Sequence, residues 1–245
     1  VPRLNINEAV IVVTGAAGGI GLAITRAAHR RGASVVLVDL DQQDVDRAAA
    51  SLGGDRTLAL QGDVTDGKAM EAVFRATQGR FGRVDVAIAN AGISSGSAAF
   101  TINTAAEGAF EKVIAVNLTG VWNTIRAAVP HVLESRGHIV LTASIYAYIN
   151  GMLNAPYAAS KGGVEQLGRA LRAELAPHQA TAGVLYPGWV KTPIERRAAR
   201  IQVPRRWAPI SALRGIINPL SDAAFERDEK LSGLLRQVEE RAERT

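Results

Sequence analysis

The sequence predicts an α/β fold, a doubly wound parallel sheet in three α/β/α layers. Three observations lead there. Continuous β-branched runs without polar alternation recur along the chain, as strands covered on both faces require. Stretches with apolar residues at helical spacing separate them, and strand and helix alternate as right-handed crossovers demand. A length of 245 residues, 47% of them hydrophobic, suits one substantial core and would cramp two.

Residues 9–14 (Ala-Val-Ile-Val-Val-Thr) form the first strand run, and Gly15, Gly18, Gly19 and Gly21 follow immediately. From Gly19 to Arg31 the apolar residues Ile20, Ala23, Ile24, Ala27 and Ala28 recur at helical spacing, so the glycines lie between a strand and a helix N-terminus. That context makes a phosphate cradle, because glycine lets backbone N–H groups approach a pyrophosphate and the helix end adds partial positive charge. The second strand, Ser34 to Asp39, ends in a carboxylate 24 residues after Gly15. A carboxylate there accepts hydrogen bonds from adenosine ribose hydroxyls and repels a 2′-phosphate, which favours NAD(H) over NADP(H). Neither the glycine turn nor Leu40 and Asp41 supply an arginine for that phosphate. Asp39 can alternatively cap the helix that follows.

The alternation continues with a helix over Gln42 to Leu52, a strand over Thr57 to Gly62, a helix over Lys68 to Phe81 and a strand over Val84 to Ala89. Asp63 with Val64, and Asn90 with Gly92, fall just past the third and fourth strands, on the rim where open α/β sheets bind ligands. Asp63 and Asn90 can also be plain turn or capping residues. Residues 105–133 read as one long helical region with Asn117 inside it. Asparagine competes for backbone hydrogen bonds in a helix interior, so it marks a kink or a polar task. A fifth strand over His138 to Ala143 delivers Ser144 to the same rim. Tyr157 comes thirteen residues later and Lys161 four after that, one helical turn apart on one face. A cation held near a phenol stabilises the phenolate, each unit of pKa lowering representing about 1.4 kcal/mol, and the pair can thus serve as a proton donor.

Composition removes several chemistries. With no cysteine, disulfides, thiolate catalysis and Cys-based metal sites are excluded. His29, His131, His138 and His178 show no metal-ligand spacing, so no metal is expected. No run of eighteen or more apolar residues and no basic-then-apolar leader occurs, and the expectation is a soluble, cytoplasmic protein. Residues 191–214 hold seven lysines and arginines against the single Glu195. Such a segment can attract an anionic substrate, a phosphate or a membrane surface, or simply be a solvated face. Beyond it there is no nucleic-acid-binding motif.

Taken together, these residues resemble the short-chain dehydrogenase/reductase family of single-domain Rossmann oxidoreductases. The match runs in order from residue 9 to 192: Thr14 through Gly21, Asp63 and Val64, Asn90 and Gly92, Asn117, Ser144, Tyr157 with Lys161, and Pro187 through Thr192. Ala89 stands where many relatives have a second asparagine. The resemblance implies hydride transfer between NAD(H) and a secondary alcohol or ketone. In that scheme Tyr157 exchanges the proton with the substrate oxygen, and Lys161 lowers the Tyr157 pKa and binds the nicotinamide ribose. Ser144 donates to the substrate oxygen, and Asn117 holds a water linking Lys161 to solvent. Gly15, Gly19, Ile20 and Gly21 hold the cofactor phosphates beside Asp39. Asp63 and Val64 contact the adenine, and Asn90 and Gly92 border its ribose. Pro187, Gly188, Val190 and Thr192 complete the cofactor set, Thr192 near the carboxamide. Tyr146, Ile149, Met152, Leu153 and Trp189 are expected to line an apolar pocket suited to a hydrophobic or alicyclic substrate. A homodimer pairing through the helices at 105–133 and 155–176 is also expected, with a tetramer left open.

After Thr192 the pattern departs. Relatives carry a helical substrate lid there, whereas Pro193 and Ile194 run directly into Glu195 to Pro204, which read as a helix end and the last strand. Either a segment is missing from this chain near Ile194/Glu195, or a genuine deletion leaves the site open. Residues 1–204 are read as one Rossmann-type catalytic domain and 205–245 as a C-terminal extension packed on it or on a partner. Trp207, Ile210, Leu213, Ile216 and Ile217 in that extension suit a substrate mouth, a dimer partner or, least of the three, a membrane surface. The competing reading is a non-catalytic NAD-binding scaffold or sensor that uses the basic segment, against which the complete set of Asn117, Ser144, Tyr157 and Lys161 speaks.

Overall fold

The computed structural model describes residues 5–94, 106–148 and 154–188. Strands β1 (Val10–Thr14), β2 (Ser34–Asp39), β3 (Thr57–Gln61), β4 (Val86–Ala89), β5 (His138–Thr142) and β6 (Thr181–Leu185) form one sheet. Its order is β3-β2-β1-β4-β5-β6, and each neighbouring pair is parallel. Helices α1 (Gly19–Arg30), α2 (Gln42–Ala50), α3 (Gly67–Phe81), α4 (Ala109–Ile114), α5 (Gly120–Ser135) and α6 (Ala155–Leu175) connect them.

Alternate strand residues feed two separate cores, which is why the strands read as unbroken apolar runs. Ile11, Val13, Val35 and Leu37 pack with Ala28, Val45 and Ala48 of α1 and α2. Val12, Val36, Ile139 and Leu141 pack with Phe74, Ile125 and Val164 of α3, α5 and α6. The chain leaves β1 for β2 on one side and returns to β4 on the other, so the order reverses between β1 and β4. At such a reversal the loops diverge and a crevice opens beyond the strand ends.

Local chemistry sets the ends. Asp41 caps α2 by accepting the Gln43 and Asp44 N–H groups, and Asp66 caps α3 by accepting from Lys68. Gly82 ends α3 with φ 75°, a left-handed conformation that costs glycine little. Asp39 is therefore not the cap of α2; Asp41, two residues on, takes that place.

The expected single helix over 105–133 is two helices joined by a π-turn, Ala115–Thr119, in which the Gly120 N–H reaches back to the Ala115 carbonyl. Asn117 is the middle residue of that turn. The expected strand at Val84 starts at Val86; just before it, the Asp85 carboxylate accepts the Val10 N–H at 2.9 Å. β6 was not anticipated: its five residues, Thr-Ala-Gly-Val-Leu, carry a central glycine that breaks the β-branched pattern. Ile149, Met152, Leu153, Trp189, Val190, Thr192, the lid junction and the extension over 205–245 lie outside the described residues.

Candidate active site

A cavity of about 520 Å³ opens at the carboxyl ends of the strands, and the end of every strand contributes to it. Gly15, Gly18, Gly19 and Ile20 follow β1, and Asp39 and Leu40 end β2. Asp63 and Val64 follow β3, and Asn90, Gly92 and Ile93 follow β4. Ser144 and Tyr146 follow β5, Tyr157 and Lys161 come from α6, and Pro187 and Gly188 follow β6.

The glycine end has the shape of a backbone cradle. Gly15 and Gly19 have φ of 65° and 53°, which residues with a Cβ rarely adopt. A Cβ on Gly21 would lie 2.1 Å from the Gly15 carbonyl oxygen, so α1 can start this close to β1 only with glycine there. Gly21 thus packs behind the cavity and does not line it. The N-terminus of α1 has no side-chain cap and no acidic residue in its first turn, leaving N–H groups and positive partial charge toward the opening. Asn90 braces the turn by donating to the Thr14 and Gly15 carbonyls at 3.0 and 3.2 Å. Thr14 is buried and its Oγ1 accepts the Asn90 and Ala91 N–H groups. Asp39 accepts the Ala17 N–H at 2.8 Å through Oδ2 and the Leu40 N–H at 2.8 Å through Oδ1. A carboxylate beside open glycines and an unneutralised helix end suits a dinucleotide, so the residues fit that group.

The other end holds the proton chemistry. Lys161 is 3% exposed, and its Nζ donates to the Thr142 carbonyl at 2.8 Å. Burial removes water from the ammonium and pulls its pKa down to about 8. Nζ lies 5.6 Å from the centre of the Tyr157 ring, and the Tyr146 ring meets that ring edge-on at 5.7 Å. Ser144 is buried and accepts the Tyr146 N–H at 3.3 Å, a lone-pair interaction that keeps its hydroxyl proton for donation. Gly92 closes the space behind Nζ, since a Cβ there would come within 3.4 Å of it.

Asn117 has no exposure, and its side chain clamps the loop after β4. Its Oδ1 accepts the Ile93 N–H at 2.7 Å, and its Nδ2 donates to the Ile93 carbonyl at 2.8 Å and to Ser160 Oγ at 3.1 Å. Of the two readings for Asn117, a kink or a polar task, the hydrogen bonds show the polar task, set in a π-turn. Asp63 accepts the Thr65 N–H and hydroxyl, each at 2.8 Å, so it forms a turn as well as lining the cavity. Asn90 ties β1 to β4 and lines the cavity too.

Sequence reasoning missed Asn123, Gly120 and Ser160. Asn123 Nδ2 donates to the Val64 and Thr65 carbonyls at 2.9 and 3.2 Å, bolting the loop after β3 to α5. Gly120 lets Val64 seat against the helix, because a Cβ there would lie 2.6 Å from Val64 Cγ2. The signal was a glycine at the start of α5 and an asparagine in its first turn, weak without the sheet beneath them. Asn123→Ala is expected to cost about 1 kcal/mol of stability and to weaken dinucleotide binding a few-fold with turnover at saturation retained. Denaturant unfolding and a dinucleotide titration check both.

A nucleotide-type cradle and a buried lysine against a half-buried tyrosine, facing one crevice, suit an oxidoreductase of the doubly wound class. The model of the short chain dehydrogenase family matches residues 9–202, and the chain belongs to that family. It is 35% identical over 197 residues to the L-fucose dehydrogenase of Mus musculus, covering 80% of this chain and 71% of that one. It is 34% identical over 189 residues to the 2-(R)-hydroxypropyl-CoM dehydrogenase of Xanthobacter autotrophicus, covering 76% of each. Against the (-)-trans-carveol dehydrogenase of Rhodococcus erythropolis it is 34% identical over 201 residues, covering 76% and 72%. Among solved structures, a 3-ketoacyl-(acyl-carrier-protein) reductase from Brucella melitensis complexed with NADH superposes with a TM-score of 0.74 at 30% identity, covering 77% and 79%. A short chain dehydrogenase/reductase from Burkholderia phymatum in complex with NAD gives 0.74 at 26%, covering 86% and 80%. Among the described residues no helix is long and apolar enough to cross a membrane.

Proposed function

We propose that this protein oxidises a secondary alcohol, or reduces the matching ketone, with NAD(H) and with Tyr157 as the acid–base group. The observation that carries the reading is Lys161, buried beneath the Tyr157 ring beside Ser144 and across the cavity from the glycine cradle. Burying an ammonium is costly, and one held against the face of a phenol is placed for proton chemistry as well as for nucleotide binding.

The nicotinamide dinucleotide supplies the hydride acceptor or donor. The chain supplies the rest. Gly15, Gly19 and Ile20 with the N-terminus of α1 hold the phosphates. Asp39 holds the adenosine ribose, Val64 and Asp63 border the adenine, and Asn90 and Gly92 its ribose. Pro187 and Gly188 close the far side, and Val190 and Thr192 are assigned to the cofactor from the sequence pattern alone. At the substrate oxygen Tyr157 takes or gives the proton, and Ser144 donates a hydrogen bond that strengthens as negative charge develops. Lys161 keeps positive charge beside the phenol and binds the nicotinamide ribose. The Asn117 side chain is engaged by Ile93 and Ser160, so its part in any water link from Lys161 to solvent is to hold the loop after β4 in place. Tyr146 lines the substrate side, and with Met152 and Trp189, assigned to the substrate from the sequence alone, it fits a hydrophobic or alicyclic alcohol. Phe110 and Trp122, 51% and 49% exposed on α4 and α5, suit burial in a homodimer through these helices and α6.

A panel of aliphatic and alicyclic secondary alcohols, assayed with NAD and NADP, tests the reading; no turnover on any of them with either cofactor would speak for the scaffold. The cofactor preference has its own test. Asp39→Ser is expected to weaken NADH binding by about tenfold or more, since hydrogen bonds to a charged group are worth roughly 1.5–3 kcal/mol, and to narrow the gap between NADH and NADPH. Fluorescence titration measures both, and wild-type protein that binds NADPH as tightly as NADH refutes the role given to Asp39.

A further inference from the structure

Ser160 precedes Lys161 on α6 and has no exposure to solvent. Its Oγ donates to the Tyr157 carbonyl at 2.7 Å. Helical serines often bond back in this way, but that bond uses the only hydroxyl proton, so Oγ can meet any other group only as an acceptor. Asn117 Nδ2 is the donor that meets it, at 3.1 Å. The second Nδ2 proton goes to the Ile93 carbonyl, and Oδ1 takes the Ile93 N–H. All the protons in this line have assigned partners, and the line runs from the loop after β4, through the π-turn, to the first turn of α6.

We propose that Ser160 is a positioning residue of the proton-transfer site: its hydroxyl ties the Asn117 amide to the backbone of Tyr157 and so fixes where the phenol stands. The proposal rests on the reading of Tyr157 as the acid–base group. Tyr157 sits in the third position of α6, where helix ends ordinarily fray. Its ring has contacts on two sides, the Tyr146 ring and the Lys161 ammonium. The Ser160 bond adds a tie on the backbone of the same residue. The helix does not depend on that tie to pack: Gly163 lets α6 approach the π-turn closely, its absent Cβ being 2.9 Å from Leu118 Cδ1. Removing the hydroxyl therefore loosens the first turn without undoing the contact beneath it.

Ultraviolet difference titration of phenolate tests this without a substrate. The chain has four tyrosines, and the step missing from Tyr157→Phe belongs to Tyr157. In Ser160→Ala that step is expected to move to higher pH, as the phenol drifts from the Lys161 charge. Turnover is expected to fall about tenfold, the scale of a small misplacement of a reacting group, while NADH affinity stays within about twofold. Ser160→Thr, which keeps the hydroxyl, is expected to restore both. An unmoved Tyr157 step with wild-type turnover in Ser160→Ala overturns the proposal. So does an equal loss in Ser160→Thr, which would make side-chain volume the cause. Should Ser160→Ala not fold, Ser160→Cys, close in size and a weak hydrogen-bonder, is read in the same way. Failure of the underlying reading looks different: Tyr157→Phe then turns over like wild type, and the proposal falls with it.

Discussion

Tyr157→Phe is expected to lower turnover by about a thousandfold, within the usual range for loss of a general acid–base group, while NADH affinity stays within about twofold. The substitution removes one oxygen and little else. Phenylalanine keeps the edge-on contact with Tyr146 and the ring face 5.6 Å from Lys161 Nζ. The Tyr157 carbonyl still accepts from Ser160, so the first turn of α6 is held as before. What disappears is the phenol hydroxyl of a ring that shares one cavity with Lys161 and Ser144. Ser144 still offers a hydrogen bond, but an aliphatic hydroxyl is a far weaker acid than a phenol and cannot replace it as the proton carrier at neutral pH. Steady-state assays on the best alcohol of the panel, with parallel NADH titration and circular dichroism, measure the effect. Retention of more than a tenth of wild-type turnover would remove Tyr157 from the mechanism. Combining Tyr157→Phe with Ser144→Ala is expected to cost much less than the product of the single losses, because groups that act on one oxygen are not additive.

How much of this was legible in the sequence depends on the range of the interactions involved. The unbroken apolar runs specified a sheet covered on both faces, since each strand has to supply two cores at once: Val12 to one, Ile11 and Val13 to the other. Gly15, Gly19 and Gly21 were readable because their reasons are local, a positive φ at two and a close approach at the third. Tyr157 and Lys161 lie one turn apart on a single helix, and their proximity follows from helical geometry. Asn123 and Ser160 were not readable in the same way. Their partners are 59 and 43 residues distant in sequence, and nothing nearby marks them as more than polar residues in a helix. Asp39 stood between two readings until Asp41 was seen to hold the helix cap. Asn117 shows the middle case: its helix-breaking character was visible, but its grip on Ile93 joins it to a loop 24 residues away. β6 escaped notice because Gly183 interrupts its pattern, and a Cβ at that position would come within 3.3 Å of His138 Nε2 on the neighbouring strand.

Lys161→Met is expected to abolish turnover and, in the free enzyme, to raise stability by about 2 kcal/mol at pH 7. The two effects have one origin. The native ammonium is buried with the Thr142 carbonyl as its hydrogen-bond partner, and its pKa falls from 10.5 to about 8. Below pH ~8 both native and unfolded chains carry the proton, and the full desolvation cost of roughly 3 kcal/mol weighs on the folded state. Between about 8 and 10.5 the unfolded chain still holds a proton that the native chain has released. Wild-type stability therefore gains from this group as the pH rises through that window. Methionine removes the charge at similar length and forfeits a hydrogen bond worth about 1 kcal/mol, which leaves the net gain. In a chain of this size that raises the unfolding midpoint by about 4–8 °C. The advantage of Lys161→Met is expected to be greatest at pH 7 and to vanish by pH ~10 as the wild-type lysine is relieved of its charge. Thermal melts of both proteins across that range read the difference directly. A variant less stable than wild type at pH 7, or an advantage that does not change with pH, would mean that the ammonium is not held at a cost. A cost of this kind, kept beside a phenol at the mouth of a nucleotide cradle, is what selection for proton transfer tolerates and selection for stability alone would remove.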